Sequence, residues 1–122
     1  MDPRVIAIMD AIAQQHPYAV SVIRTGHSRC VGGGNTCSPN RVSNHWEYRA
    51  IDIYSLDGRR VDRGHTTARQ LVGWLHDLDG PLRPDEVGSP FTDWTGTPGW
   101  FTDAAHQGHI HIGYDATTSR ST

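Results

Sequence analysis

The stretch "HIHIGY", residues 109–114, decides the expected fold because polar and apolar side chains alternate along it. In a β-strand, successive side chains point to opposite faces of the sheet. Ile110 and Ile112 therefore face a core, whereas His109 and His111 face the other way. The stretch predicts a sheet with one buried face and one face that carries polar groups.

Other segments supply the remaining elements of an α+β fold. Strands are expected near residues 18–24 and 49–54, where β-branched residues are frequent. Helices are expected near residues 3–15 and 66–79, where apolar residues recur at helical spacing. We expect a small antiparallel sheet with both helices packed on one of its faces.

Local signals predict where these elements begin and end. Asp2 is the expected N-cap of the first helix, and Thr66 or Thr67 is the expected N-cap of the second. Gly80 is expected to end the second helix. The Asp57–Gly58 pair predicts a turn after the central strand.

The length of 122 residues fits one domain, which we place at residues 1–115, followed by a flexible tail at residues 116–122. The net charge of −2 argues against nucleic acid or an anionic membrane as the main partner. No apolar run approaches the roughly 20 residues of a membrane-spanning helix. The N-terminus lacks the features of a signal peptide. The chain is therefore intracellular, exported by another route, or a domain of a longer protein, and we expect it to be a monomer.

The two cysteines, Cys30 and Cys37, lie in the glycine-rich stretch "CVGGGNTC". A turn in this stretch could bring the two sulfurs together, which predicts a disulfide, with free thiols as the alternative. The spacing differs from C-x-x-C and argues against a zinc knuckle. A disulfide would indicate an oxidising, extracytoplasmic setting.

Four residues suggest a metal site. His109 and His111 share one strand face, and Asp52 lies between two isoleucines in a predicted strand, where its charge needs a partner. His45 precedes Asp52 by seven residues. Imidazole and carboxylate are ordinary zinc ligands, and three protein ligands plus water is the pattern of catalytic sites. The alternatives are hydrogen-bonded or surface histidines and a structural carboxylate.

Two motifs give this set a specific resemblance. "SNHWEYRAID", residues 43–52, resembles the S-x-H-x-x-G-x-A-x-D signature of zinc D-Ala-D-Ala peptidases. "HQGHIH", residues 106–111, resembles the H-x-x-H-x-H ending of the murein endopeptidase branch. The superfamily also contains lysostaphin-type peptidases and the hedgehog signalling domain. The two motifs also occur in the same order as in this superfamily. The resemblance therefore implies a fold of the hedgehog and D-Ala-D-Ala peptidase type.

Carried over by position, the resemblance implies that His45, Asp52 and His111 bind Zn²⁺. It also implies that His109 is the catalytic histidine beside the metal. The residues expected to line the site are Ser43, His106 and Asp103.

The chain departs from the family pattern in two places. Tyr48 replaces the motif glycine, and Gly108 stands where many relatives carry a glutamate. An alternative D-x-x-H interpretation makes His106 a ligand and Asp103 the base. The segment around His27 and Arg29 loosely resembles the family's S-G-Y-R segment, which suggests that these two residues bind substrate.

The resulting hypothesis is a zinc-dependent carboxypeptidase or endopeptidase that hydrolyses peptidoglycan peptides through a zinc-activated water. Glu47 and Glu86 are the two glutamates of the chain, and neither is expected at the site. His109 is therefore expected either to carry the proton of the water or to hold the oxyanion of the tetrahedral intermediate. We expect the protein to be secreted or extracytoplasmic, as part of a longer exported or phage-associated protein. The main alternative is a non-catalytic cell-wall or protein-binding module with the same fold. A cupin-type oxygenase is disfavoured because no Glu or His follows His111.

Overall fold

A computed structural model describes residues 2–22 and 49–115 and has an α+β fold. The order of elements is α1 (Pro3–Ala13), β1 (Tyr18–Val22), β2 (Ala50–Leu56), β3 (Arg59–Arg60), α2 (Thr66–Asp77), β4 (Glu86–Gly88), β5 (Trp100–Phe101) and β6 (Ile110–Gly113). Short 3₁₀ helices cover Gly80–Leu82 and Ala104–His106. The predicted α+β class, both helices and the three principal strands are confirmed. In the described part of the chain, neither helix is long and apolar enough to cross a membrane.

Helix α1 begins as the sequence predicts. The carboxylate of Asp2 accepts a hydrogen bond from the backbone N–H of Arg4 at 2.8 Å, and Pro3 occupies the first helical position. A proline is tolerated there because its missing N–H would have no partner within the helix. Val5, Ile8 and Ile12 form the buried stripe of the helix, which holds it on the sheet.

Helix α2 begins differently from the prediction, because its N-cap is His65 and not Thr66 or Thr67. Nδ1 of the buried His65 ring accepts a hydrogen bond from the backbone N–H of Ala68 at 3.0 Å. Its Nε2 lies 3.0 Å from the carbonyl oxygen of Leu56 and carries the proton, because Nδ1 is used as an acceptor. The imidazole thus ties the helix start to the end of β2. The helix ends at Asp77, three residues before Gly80.

The sheet has the order β1-β2-β6-β4-β5, and β3 pairs with the outer part of β2. All its ladders are antiparallel except that between β4 and β5, so the expectation of a fully antiparallel sheet is wrong at this edge. The Trp100–Phe101 strand lies in a segment for which the sequence predicts no strand. The predicted turn at Asp57 and Gly58 is present, and both residues have positive φ, 53° and 77°.

One face of the sheet, here called the core face, carries apolar residues from four neighbouring strands. Ile112 of β6 pairs with both Ile51 of β2 and Val87 of β4, and Val87 pairs with Trp100 of β5. These side chains form one buried cluster with the apolar residues of both helices. Both helices therefore pack on this face. Because side chains alternate along a strand, the intervening residues of the strands point to the opposite face.

Candidate functional site

The opposite face, here called the site face, is centred on Asp52 of β2 and His111 of β6. The two residues are directly paired across antiparallel strands, so their side chains lie side by side. Nδ1 of His111 lies 3.0 Å from Oδ1 of Asp52. Each residue is only 7% exposed. The charge of Asp52, which the sequence analysis expected to need a partner, is thus paired with the imidazole of His111.

His109 reaches the same carboxylate from a position just before β6. Its Nε2 lies 3.7 Å from Oδ2 of Asp52, which is an ion-pair distance and longer than a hydrogen bond. The side chain of His109 is 23% exposed, compared with 8% for that of His111. The two histidines therefore share one face, as the alternation in the sequence predicts, and His109 is the more accessible of the two.

Glu86 of β4 is the site residue that the sequence analysis missed. Its Oε1 is in contact with Nε2 of His111, on the other side of the ring from Asp52. The expectation that no glutamate lies at the site is therefore wrong. The stretch "EVG" could have placed Glu86 on the site face, because Val87 faces the core and its neighbours face the other way, but it could not have shown which residue Glu86 contacts.

A second carboxylate–imidazole pair, Asp103 and His106, flanks the site. Asp103 is the N-cap of the 3₁₀ helix Ala104–His106 and accepts hydrogen bonds from the backbone N–H groups of Ala105 and His106, both at 3.0 Å. Its Oδ1 also lies 2.6 Å from Nδ1 of His106. Asp103 is thus engaged in holding this ring, which favours an orienting role over the role of a base.

Gly88 makes room for the His106 ring on the site face. A Cβ atom at this position would lie 2.7 Å from Cδ2 of His106 and 2.7 Å from Cζ of Phe101, closer than real contacts allow. The ring centroid of His106 lies 4.7 Å from that of His109 and 5.8 Å from that of His111. The three histidines of the C-terminal motif therefore form one cluster, and Phe101 packs edge-on against His106.

The electrostatics of His111 follow from its two carboxylate partners. Burial alone lowers the pKa of an imidazole because it disfavours the charged form. Hydrogen bonds to Asp52 and Glu86, and the charges of both, outweigh burial and raise the pKa of His111 from 6.5 to about 9. At Asp103, burial raises the carboxyl pKa, but the hydrogen bond and charge of His106, together with the hydrogen bonds from the backbone N–H groups of His106 and Ala105, outweigh burial and lower the pKa below its ordinary value.

The donor atoms of Asp52 and His111 suit a zinc ion. Donors about 2.0–2.2 Å from a tetrahedral ion are roughly 3.4 Å apart, and Oδ1 of Asp52 and Nδ1 of His111 are separated by 3.0 Å. Within residues 2–22 and 49–115, no group of three or more His, Cys, Asp or Glu side chains is arranged to hold a metal. The expected third ligand, His45, lies outside this part of the chain.

Several predicted residues cannot be placed, because they fall outside the described residues. They are the candidate ligand His45, the site-lining Ser43, the substrate-binding candidates His27 and Arg29, and the cysteines Cys30 and Cys37. The predicted tail at residues 116–122 also lies outside. Of the candidate site residues, Asp52, Asp103, His106, His109 and His111 are described. The structure brings all five to one region of the sheet.

Comparison with known proteins identified no relative of the chain. No family model matches the chain, and neither does any curated protein or solved structure. The relationship to zinc peptidases therefore stays a prediction, supported by the two sequence motifs and by the convergence of their described residues on one face.

Proposed function

We propose that the chain is a zinc-dependent peptidase that hydrolyses the peptide part of peptidoglycan. The observation that carries the proposal is the buried pairing of Asp52 with His111, with His109 beside them on the same face. Asp52, His111 and the undescribed His45 would hold the ion and leave one position for water or substrate. The identity of the ion and the class of substrate follow from the resemblance of the two motifs.

The chain's own groups can divide the chemistry between them. When bound, Zn²⁺ would polarise the scissile carbonyl and lower the pKa of a bound water to about 7. His109 would carry the proton, because its Nε2 lies 3.7 Å from Oδ2 of Asp52 and its side chain remains 23% exposed. The neutral ring of His109 would accept the proton of the attacking water, and its charged form would then donate a proton to the leaving amine.

The surroundings of His109 offer groups that can contact a peptide. His106 is held by Asp103 and packs edge-on against Phe101, with 4.8 Å between the two ring centroids. The side chain of His106 is 18% exposed, so part of the ring is accessible beside His109. We expect His106 and Phe101 to form one wall of the substrate site, with His106 available as a hydrogen-bond donor to a peptide carbonyl.

The proposal is tested by measuring zinc content and hydrolysis of purified muropeptides by the chain. We expect about one zinc per chain, loss of hydrolysis with a chelator, and recovery when zinc is added back. His111→Ala should lose zinc and activity together, because a site left with two ligands holds the ion poorly. His16→Ala is the matched control, since His16 pairs with Asp57 and not with the site.

Two results would contradict the proposal. Hydrolysis that persists in metal-free protein would show that zinc is not needed. A zinc-loaded chain that cleaves no peptide, yet binds peptidoglycan fragments, would favour the non-catalytic binding module. In that case His111→Ala should weaken binding of the fragments, whereas His109→Ala should leave the metal in place.

A further inference from the structure

We infer that Glu86 is a positioning residue, which accepts the Nε2–H of His111 and thereby directs Nδ1 of that ring toward Asp52 and the metal. The inference rests on the proposed function, because it assigns a role in the same site. Its basis is that both nitrogens of the His111 ring are engaged. Nδ1 lies 3.0 Å from Oδ1 of Asp52, and Nε2 contacts Oε1 of Glu86.

The strand register explains how Glu86 reaches the ring. His111 pairs with Gly88 on β4, and Glu86 lies two residues earlier on the same strand, opposite Gly113. Residues two apart share one face of a strand, so Glu86 lies diagonally across from His111 on the site face. Neither Gly88 nor Gly113 has a side chain that could block this diagonal. The carboxylate can therefore cross from β4 to the ring on β6.

The geometry of imidazole separates this role from that of a metal ligand. The two ring nitrogens point away from each other, so a carboxylate bonded at Nε2 lies on the far side of the ring from Nδ1. An ion held between Asp52 and Nδ1 of His111 is thus out of the direct reach of Glu86. A ligating histidine commonly donates its second N–H to a carboxylate, which fixes the tautomer and raises the basicity of the ligand. Glu86 is placed to do this for His111.

The test measures zinc affinity without any substrate. Wild type, Glu86→Ala and Glu86→Gln are titrated with zinc in competition with a coloured chelator at constant pH, and circular dichroism checks their folding. Glu86→Ala should bind zinc about 10- to 100-fold more weakly, the usual cost of removing such a partner. Glu86→Gln should bind within a few-fold of wild type, because its amide oxygen can still accept the Nε2–H. Asp79→Asn is the charge control, since Asp79 is exposed and its side chain caps nothing.

A spectroscopic readout accompanies the affinities. Nitrogen-15 spectra of the zinc-bound wild type should show His111 with its proton on Nε2, and Glu86→Gln should preserve this tautomer. Glu86→Ala should change the nitrogen shifts of that ring. Both readouts report on the ring itself and are independent of peptide hydrolysis.

The outcomes separate this inference from the proposed function. A wild type that binds zinc but cleaves nothing, with weakened zinc binding in Glu86→Ala, supports the inference while the peptidase proposal fails. An active wild type with unchanged affinity and tautomer in Glu86→Ala overturns the inference alone. Equal loss in Glu86→Gln and Glu86→Ala also overturns it, because it indicates a direct ligand. A wild type that binds no zinc overturns both.

Discussion

The two faces of the sheet are formed by alternate residues of the same strands. The core face is held by apolar burial, whereas the site face depends on directed contacts between polar groups. On the core face, Ile51 and Ile112 are fully buried among other apolar side chains, and almost any apolar side chain of similar volume satisfies such a position. On the site face, Asp52 and His111 are nearly as buried, but each requires a particular partner in a particular direction. Substitutions on the core face should therefore change mainly the stability of the fold, and substitutions at alternate residues on the site face should change mainly the chemistry of the site.

The sharpest test of the site face is His109→Ala. This variant should keep its zinc and fold but lose about 10²- to 10⁴-fold in the rate of peptide hydrolysis, the usual span for a proton-transfer group. Metal content by mass spectrometry and turnover of a muropeptide would be measured on the same sample. Loss of zinc from this variant would make His109 a ligand and change the division of roles at the site.

The matching test of the core face is Ile112→Ala. Truncating this fully buried side chain should reduce the free energy of unfolding by about 2–5 kcal/mol, from lost burial and the cavity left behind. Urea denaturation of the metal-free protein provides the measurement. Zinc affinity of the folded fraction should change little, because the removed atoms lie on the other side of the sheet. A large drop in affinity would show that the two faces are coupled.

The pH dependence of the metal-free protein tests the buried charges directly. The pKa of His111 is raised to about 9 in the folded state, above its ordinary value of about 6.5, so the folded protein holds a proton that the unfolded chain releases. The stabilisation from this group is present below pH 6.5 and is lost as the pH rises through about 9. Thermal unfolding in the presence of a chelator should show this decline in wild type and a flatter curve in His111→Gln. Parallel curves would argue against the carboxylate–imidazole–carboxylate arrangement.

Gly88→Ala tests how closely the site face is packed. The added Cβ would meet ring atoms of His106 and Phe101 at 2.7 Å, so the rings must shift, at a cost of about 1–3 kcal/mol in stability. Hydrolysis should fall while zinc is retained, because the displaced ring is that of His106, to which the proposal gives no role as a ligand. Adding Phe101→Ala removes one of the two rings that the new Cβ meets and should recover part of the lost stability, measured by urea denaturation against Phe101→Ala alone. If Gly88→Ala costs the same stability in the Phe101→Ala background, crowding against Phe101 is not the cause.

The sequence predicted those parts of the molecule that follow from local periodicity. The alternation in "HIHIGY" predicted both the strand and the face shared by His109 and His111, because side-chain direction in a strand depends only on position. The start of α1 was predictable for the same reason, since Asp2 and Pro3 act within one helical turn. Local rules sufficed for these features.

The features that were missed depend on contacts between distant segments. Glu86 meets His111 across 25 residues of sequence, and only the register of β4 against β6 brings them together. His65 was passed over as an N-cap because Ser, Thr, Asp and Asn dominate that position, yet a buried imidazole nitrogen accepts the same hydrogen bond. The two-residue β5 was missed because it is too short to show any periodicity.

The strand order has a consequence for the motions that the site can undergo. Asp52, His111 and Glu86 lie on β2, β6 and β4, and each of these strands is hydrogen-bonded to a neighbour on both sides. Backbone amides in such interior strands usually exchange with solvent only when most of the molecule opens, whereas edge strands exchange by local fraying. We therefore expect the backbone amides of these three residues to exchange among the slowest in the described part of the chain. We also expect the spacing of their side chains to vary less than that of residues carried on loops.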